Sequence, residues 1–157
     1  MPAFEVWLRE KAESARKSDR EQRRMDWVNS YAKLLNTIKN WLGEYAEYFQ
    51  TESSVVDQAE QGIGAYRLDD LRIRVGDSSV RILPLGRNVI GRIDPGTGTS
   101  QRSSGAVDIM DEVGGRKYTL YRIIQDGQDV WYVVDERGSV TGFNKERFQE
   151  ILMDLMS

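Results

Sequence analysis

Read with a helical period, the apolar positions of residues 26–49 fall on one stripe made of Trp27, Val28, Tyr31, Leu34, Leu35, Ile38, Trp41, Leu42, Tyr45, Tyr48 and Phe49. Asn29, Lys33, Asn36, Asn40, Glu44 and Glu47 occupy the other side, so this stretch is expected to be an amphipathic helix around which the rest of the chain packs. The stripe reads as core, with a partner or dimer surface as the other use of so many aromatic side chains. Upstream, Phe4, Trp7, Leu8, Ala12 and Ala15 recur at helical spacing and predict a first helix over residues 3–17. Ser18 stands three residues before Glu21, the spacing of a capping box, which places a second helix start near Ser18. A single bent helix over residues 3–50 is the alternative, because a serine costs little inside a helix. The cations Arg16, Lys17, Arg20, Arg23 and Arg24 alternate with Asp19, Glu21 and Asp26, as on a solvated helix face.

Residues 51–64 are polar and end in two glycines, so they read as a connection between a helical region, residues 1–50, and a sheet region, residues 65–157. From residue 65 the period becomes two. Leu71, Ile73 and Val75 alternate with Arg72 and Arg74, a turn follows from Gly76, and Val80, Arg81, Ile82 and Leu83 return as a hairpin with an apolar face and an arginine face. Residues 88–93 and 106–110 are further short strands, and residues 94–105, rich in Gly, Ser and Thr, are a loop between them. Asp126-Gly127 is the pair expected of a type I′ turn, which sets Ile123 opposite Val130, Tyr121 opposite Tyr132 and Thr119 opposite Val134. That face is expected to meet the core, leaving Arg122 to stack on Trp131 on the partly covered face behind. A last strand over residues 140–143 leads to a helix capped by Asn144, with Phe143 and Phe148 placed as a hydrophobic staple. The expectation is an α+β domain in which N-terminal helices and a C-terminal helix pack on an antiparallel sheet of about six short strands.

The chain has no cysteine and no histidine. Disulfides, thiolate nucleophiles, zinc-thiolate sites and the usual imidazole general base are therefore all excluded. Neither a signal-peptide pattern nor an apolar run of membrane-spanning length is present, so no membrane contact and a cytoplasmic location are expected. No cofactor is implied either, because Gly96-Thr97-Gly98-Thr99-Ser100 lacks the lysine and the helix start of a phosphate-binding loop. A metal-dependent hydrolase built on Asp94, Asp108, Asp111, Glu112, Asp135 and Glu136 is the least favoured reading, since the acid-x-lysine pattern on a central strand is missing.

Charge is unevenly spread. Residues 61–105 carry seven arginines against four acids in a chain of net charge -3. Arg67, Arg72, Arg74, Arg81, Arg87 and Arg92 are the candidate binding residues, because guanidinium forks hold phosphate and carboxylate bidentately. Pairing with Asp69, Asp70 and Asp77 on a solvated face is the plainer account of them. Residues 85–92, Leu-Gly-Arg-Asn-Val-Ile-Gly-Arg, locally resemble the strand that opens the phosphopeptide site of forkhead-associated domains. The Ser-x-x-His that follows in that family is missing, and no site is carried over. The functional expectation is a small non-catalytic interaction or accessory protein, with a protein partner or a homodimer acting through the helical stripe or the arginine face. Nucleic-acid association through the arginine face is the second expectation.

Overall fold

The computed structural model describes residues 2–89 and 91–157. One helix, α1, runs unbroken over Pro2–Gly43, 42 residues, or about 63 Å at 1.5 Å per residue. The expected break at Ser18 is absent. No Gly or Pro interrupts residues 3–42, Pro2 sits in the first turn where its missing N–H costs nothing, and Ser18 is absorbed mid-helix. Gly43 ends α1, earlier than the stripe suggested, and Tyr45 N–H donates to Leu42 O and Tyr48 N–H to Tyr45 O in the turns that follow, both at 2.9 Å. Tyr45 and Tyr48 are consequently exposed.

Among the described residues eleven strands follow: β1 (Gln50–Glu52), β2 (Val55–Glu60), β3 (Gly64–Asp69), β4 (Leu71–Val75), β5 (Ser78–Gly86), β6 (Arg92–Ile93), β7 (Gln101–Arg102), β8 (Ala106–Asp111), β9 (Lys117–Gln125), β10 (Gln128–Val134) and β11 (Val140–Gly142). The chain closes with α2 (Lys145–Leu155). Seven strands form one antiparallel sheet in the order β1-β4-β5-β8-β9-β10-β11, while β2-β3 and β6-β7 are separate two-stranded ribbons. The fold is α+β as expected, with more strands than the pattern showed. The segment expected to be a connection, residues 51–64, holds β2 and all but the first residue of β1, strands that have no fully buried position and so carry no hydrophobic signal for a period-two reading to find.

The core lies on one face of the large sheet. Leu71, Ile73, Val80, Ile82, Val107, Ile109, Leu120 and Val133 meet Trp27, Tyr31, Leu34, Leu35, Ile38 and Leu42 of α1 and Phe148, Ile151, Leu152 and Leu155 of α2. Asn144 caps α2 by accepting from Arg147 N–H at 2.8 Å, and Phe143 and Phe148 meet edge to face at 6.1 Å between centroids.

The β9-β10 register is the expected one, with Ile123 opposite Val130 and Arg122 opposite Trp131, and Asp126 and Gly127 have φ of 51° and 75° as a type I′ turn requires. The faces are exchanged, however. Leu120, Val133 and the half-buried Trp131 point into the core, whereas Tyr121, Val130 and Tyr132 lie on the outer face, only half-buried. Arg122 does not stack on Trp131. It is buried on the core side because acids from two other positions neutralise it, and Trp131 packs instead on Trp27 at 6.3 Å. Behind the sheet, Ile93, Ala106 and Ile123 are buried apart from the main cluster, and Gly91 lies against the Tyr121 ring.

Candidate functional site

The packed part of α1 begins at Trp27, and each side chain buried by the body is at that residue or later. Residues 2–22 are exposed apart from a half-buried Ala12. In chain order, the first side-chain hydrogen bond from the helix to the body is Arg23 Nη1 to Gly62 O, at 3.4 Å. Residues 2–22 therefore stand clear as an arm roughly 31 Å long. The sequence explains this division. Residues 16–24 are Arg-Lys-Ser-Asp-Arg-Glu-Gln-Arg-Arg, nine polar positions in a row with no apolar side chain to bury. An isolated helix of this length would be marginal. Here it extends from a clamped segment that already supplies the nucleus, and Glu5/Arg9, Glu13/Lys17 and Asp19/Arg23 stand at the supportive i,i+4 spacing. Beyond the polar stretch the arm carries Phe4, Val6, Trp7 and Leu8, all exposed, Trp7 by 53%. Phe4 and Trp7 meet at 5.9 Å, and Lys11 Nζ lies 5.6 Å from the centroid of the Trp7 ring.

The six candidate arginines divide among several places. Arg72, Arg74 and Arg81 share the outer face of β4 and β5, with Arg72 directly opposite Arg81. Each has an acid beside it. Arg81 Nε donates to the wholly buried Asp70 at 2.7 Å, Arg74 lies 3.3 Å from Glu52, and Arg72 Nε lies 3.2 Å from Glu112 without hydrogen-bond geometry. Asp70 also accepts from Ser54 N–H at 2.6 Å, which ties β4 to the connection between β1 and β2. Arg67 is on the β2-β3 ribbon paired with Asp57 at 2.9 Å. Arg87 reaches Asp26 of α1 at 3.2 Å, and Arg92 folds onto Ser100, donating to its Oγ and its carbonyl at 3.1 Å each. Three of the six thus share a surface, and its positive charge is largely compensated.

A second group of charges lies where α1 meets the sheet. Arg122, whose side chain is 3% exposed, donates from Nη1 and Nη2 to the two carboxylate oxygens of Asp26 at 2.8 Å each. Its Nε donates to Asp129 at 2.9 Å and its Nη1 also to Ser104 O at 3.2 Å. Ser30 donates to the other oxygen of Asp129. Hydrogen bonds from Arg122, stronger in effect than the partial burial that opposes them, hold the Asp26 carboxyl below its usual pKa, with Arg87 adding to the shift. Burial alone would lower the Arg122 pKa, and its hydrogen bonds with Asp26 and Asp129 raise it instead. Both groups are ionised near neutrality and engaged with each other. The arrangement fastens helix to sheet and leaves no free acid or base poised for proton transfer.

Burial also raises the pKa of Tyr31 and of Tyr66, whose hydroxyls donate to Asp69 O and to Glu60. Glu60 in turn accepts from the backbone N–H groups of Arg87 and Asn88 at 3.2 and 2.8 Å. The Leu85-Gly86-Arg87-Asn88 stretch is thus held by a carboxylate of its own chain. Asp94 Oδ1 accepts from the N–H groups of Gly96, Thr97 and Gly98 at 2.9, 2.9 and 3.1 Å, which closes that loop on itself. Among the described residues no three His, Cys, Asp or Glu side chains converge as metal ligands, and no helix is long and apolar enough to cross a membrane. No family model matches the chain, nor does any curated protein or solved structure.

The arm was visible in the sequence as a helical pattern, yet its projection was not read from it. The nine-residue polar run between two apolar stripes is the signal for it. Of the partners of Arg122, Asp129 lies diagonally across the hairpin that the Asp126-Gly127 turn sets, whereas Asp26, 96 residues away, was not foreseeable from spacing.

Proposed function

We propose that the protein is a non-catalytic interaction protein and that residues 2–22 of α1 are its docking element, presented by the sheet and clamped to it through residues 27–42. The observation that carries this reading is the separation of two apolar stripes on one helix. The second is consumed by the core, and the first, around Phe4, Trp7 and Leu8, is in water. An amphipathic helix with i, i+3 and i+4 anchors is a common way to fill an apolar groove, and tryptophan is enriched among the residues that dominate such contacts. Nucleic-acid association fits less well, because Arg67, Arg72, Arg74, Arg81 and Arg87 each have a carboxylate within 3.3 Å, and a neutralised face releases few counterions from a phosphate backbone.

The test is retention on immobilised protein, using the full chain and its Phe4→Ser/Trp7→Ser/Leu8→Ser variant, after nuclease and a moderate-salt wash. The reading expects a stoichiometric protein, this chain or another, held by the first and lost from the second, with the melting temperatures of the two within a degree or so. Equal retention by both, or retention that disappears with nuclease, overturns it.

A further inference from the structure

Resting on that reading, we infer that the arm's partner is a second copy of this chain, paired with it antiparallel along residues 4–25. At about 100° per residue, Phe4, Leu8, Lys11, Ala15, Ser18, Gln22 and Met25 form one seam with heptad spacing. That seam lies more than 90° around α1 from Trp27, Tyr31 and Ile38, so it faces away from the body. Its base is open as well, since Met25 is 59% exposed and Asn29, Lys33 and Asn36 continue the same side as a wet surface.

Charge selects the occupant and its direction. Residues 2–13 hold Glu5, Glu10 and Glu13 against Arg9 and Lys11, whereas residues 14–25 hold five cations against Asp19 and Glu21. The tip is therefore acidic and the base basic. Two copies side by side in the same direction would set like against like, and would place Lys11 of the seam against Lys11. In opposite directions, with partner numbers summing to about 30, the acidic tip lies along the basic base of the other copy. Phe4 then meets Met25, Leu8 meets Gln22, Ala15 meets Ala15 at the two-fold axis, and Lys11 reaches Asp19. A lone charged position in a seam otherwise made of uncharged residues can fix register in this way, at some cost in stability. Small Ala15 at the centre lets the helices approach closely, and each seam is the same surface on both copies, as a two-fold interface requires.

The absence of cysteine makes the geometry directly testable by disulfide trapping in the full chain. Sedimentation should show a concentration-dependent dimer that becomes a monomer in Phe4→Ser/Trp7→Ser/Leu8→Ser. Lys11→Glu should weaken the dimer about tenfold and Lys11→Glu/Asp19→Lys should restore it, since each dimer contains the pair twice. On mild oxidation Ala15→Cys should cross-link with itself, and Leu8→Cys should cross-link with Gln22→Cys in a mixture while failing to do so alone. Leu8→Cys self-linkage would mean a parallel pair and overturn the inference, as would a monomer at every concentration. A monomer whose Phe4, Trp7 and Leu8 are still required to retain a different protein would overturn only the second-copy inference and leave the docking reading standing.

Discussion

Gly105→Ala should destabilise the protein by about 3 kcal/mol or more, the upper end of what overpacking a core costs. A Cβ at this position would lie 2.2 Å from Cζ3 of Trp27 and 2.8 Å from its Cε3. The ring has no room to retreat. It is fully buried, with Tyr31 at 6.0 Å and Trp131 at 6.3 Å between centroids, and the backbone of Gly105 is itself held, because its carbonyl accepts from Arg122 N–H at 2.8 Å and from Ser103 Oγ at 2.6 Å. Trp27→Leu alone should also be costly, by roughly 2 to 4 kcal/mol, through the cavity it leaves. Combined, the two changes should cost at least 1 kcal/mol less than their sum, because the added methyl occupies part of that cavity. Urea unfolding of the four proteins checks this, and strict additivity would show that the helix and the β7-β8 connection do not meet at this point.

The second large effect is expected at Arg122. Replacing it with Met removes one side of a buried charge group and leaves two carboxylates facing the core, a loss of about 3 kcal/mol. The lower end of the usual range applies because Asp26 and Asp129 keep 38% and 27% of their side-chain surface and can regain water. A pH signature accompanies the loss. The folded pKa of Asp26 lies below its ordinary value of 3.8, so its contribution is present above that pH and disappears as the pH falls through the folded value. With the arginine gone the shift is reduced, and the Arg122→Met protein should lose less additional stability than the wild type on going from pH 5 to pH 2. Equal acid limbs in the two proteins would show that Asp26 titrates independently of Arg122.

These two positions also show what patterning can and cannot reveal. The Asp126-Gly127 turn and the register it sets followed from local chemistry, because turn type and loop length decide which residues face each other. Which face turned inward did not, since both faces of β9-β10 are apolar enough to be core. Arg122 decided the matter through Asp129 across the hairpin and through Asp26, which is 96 residues away on a helix face that reads as solvated. The arginines of β4 and β5 were placed together correctly by alternation, whereas Arg67, Arg87 and Arg92 were separated from them by a ribbon, a helix contact and a loop that no period records. The long helix was legible in its apolar spacing, and the capping-box spacing at Ser18 was a coincidence of composition, since no Gly or Pro breaks the helix there and a serine costs little inside one. Gly105 could not be singled out in advance, for its need is a close approach of Trp27 across the tertiary structure.

Helix α1 is one helix with two fates, and hydrogen exchange along it is the most direct measurement of that division. In a dilute sample the amides of residues 27–42 should exchange only through global unfolding, while those of residues 2–22 exchange orders of magnitude faster, as in a frayed helix whose hydrogen bonds face water. Raising the protein concentration should then slow exchange in residues 4–25 alone. Arm amides protected as strongly as those of residues 27–42 at the lowest concentration would contradict the account, since they would place the arm against the body of its own chain.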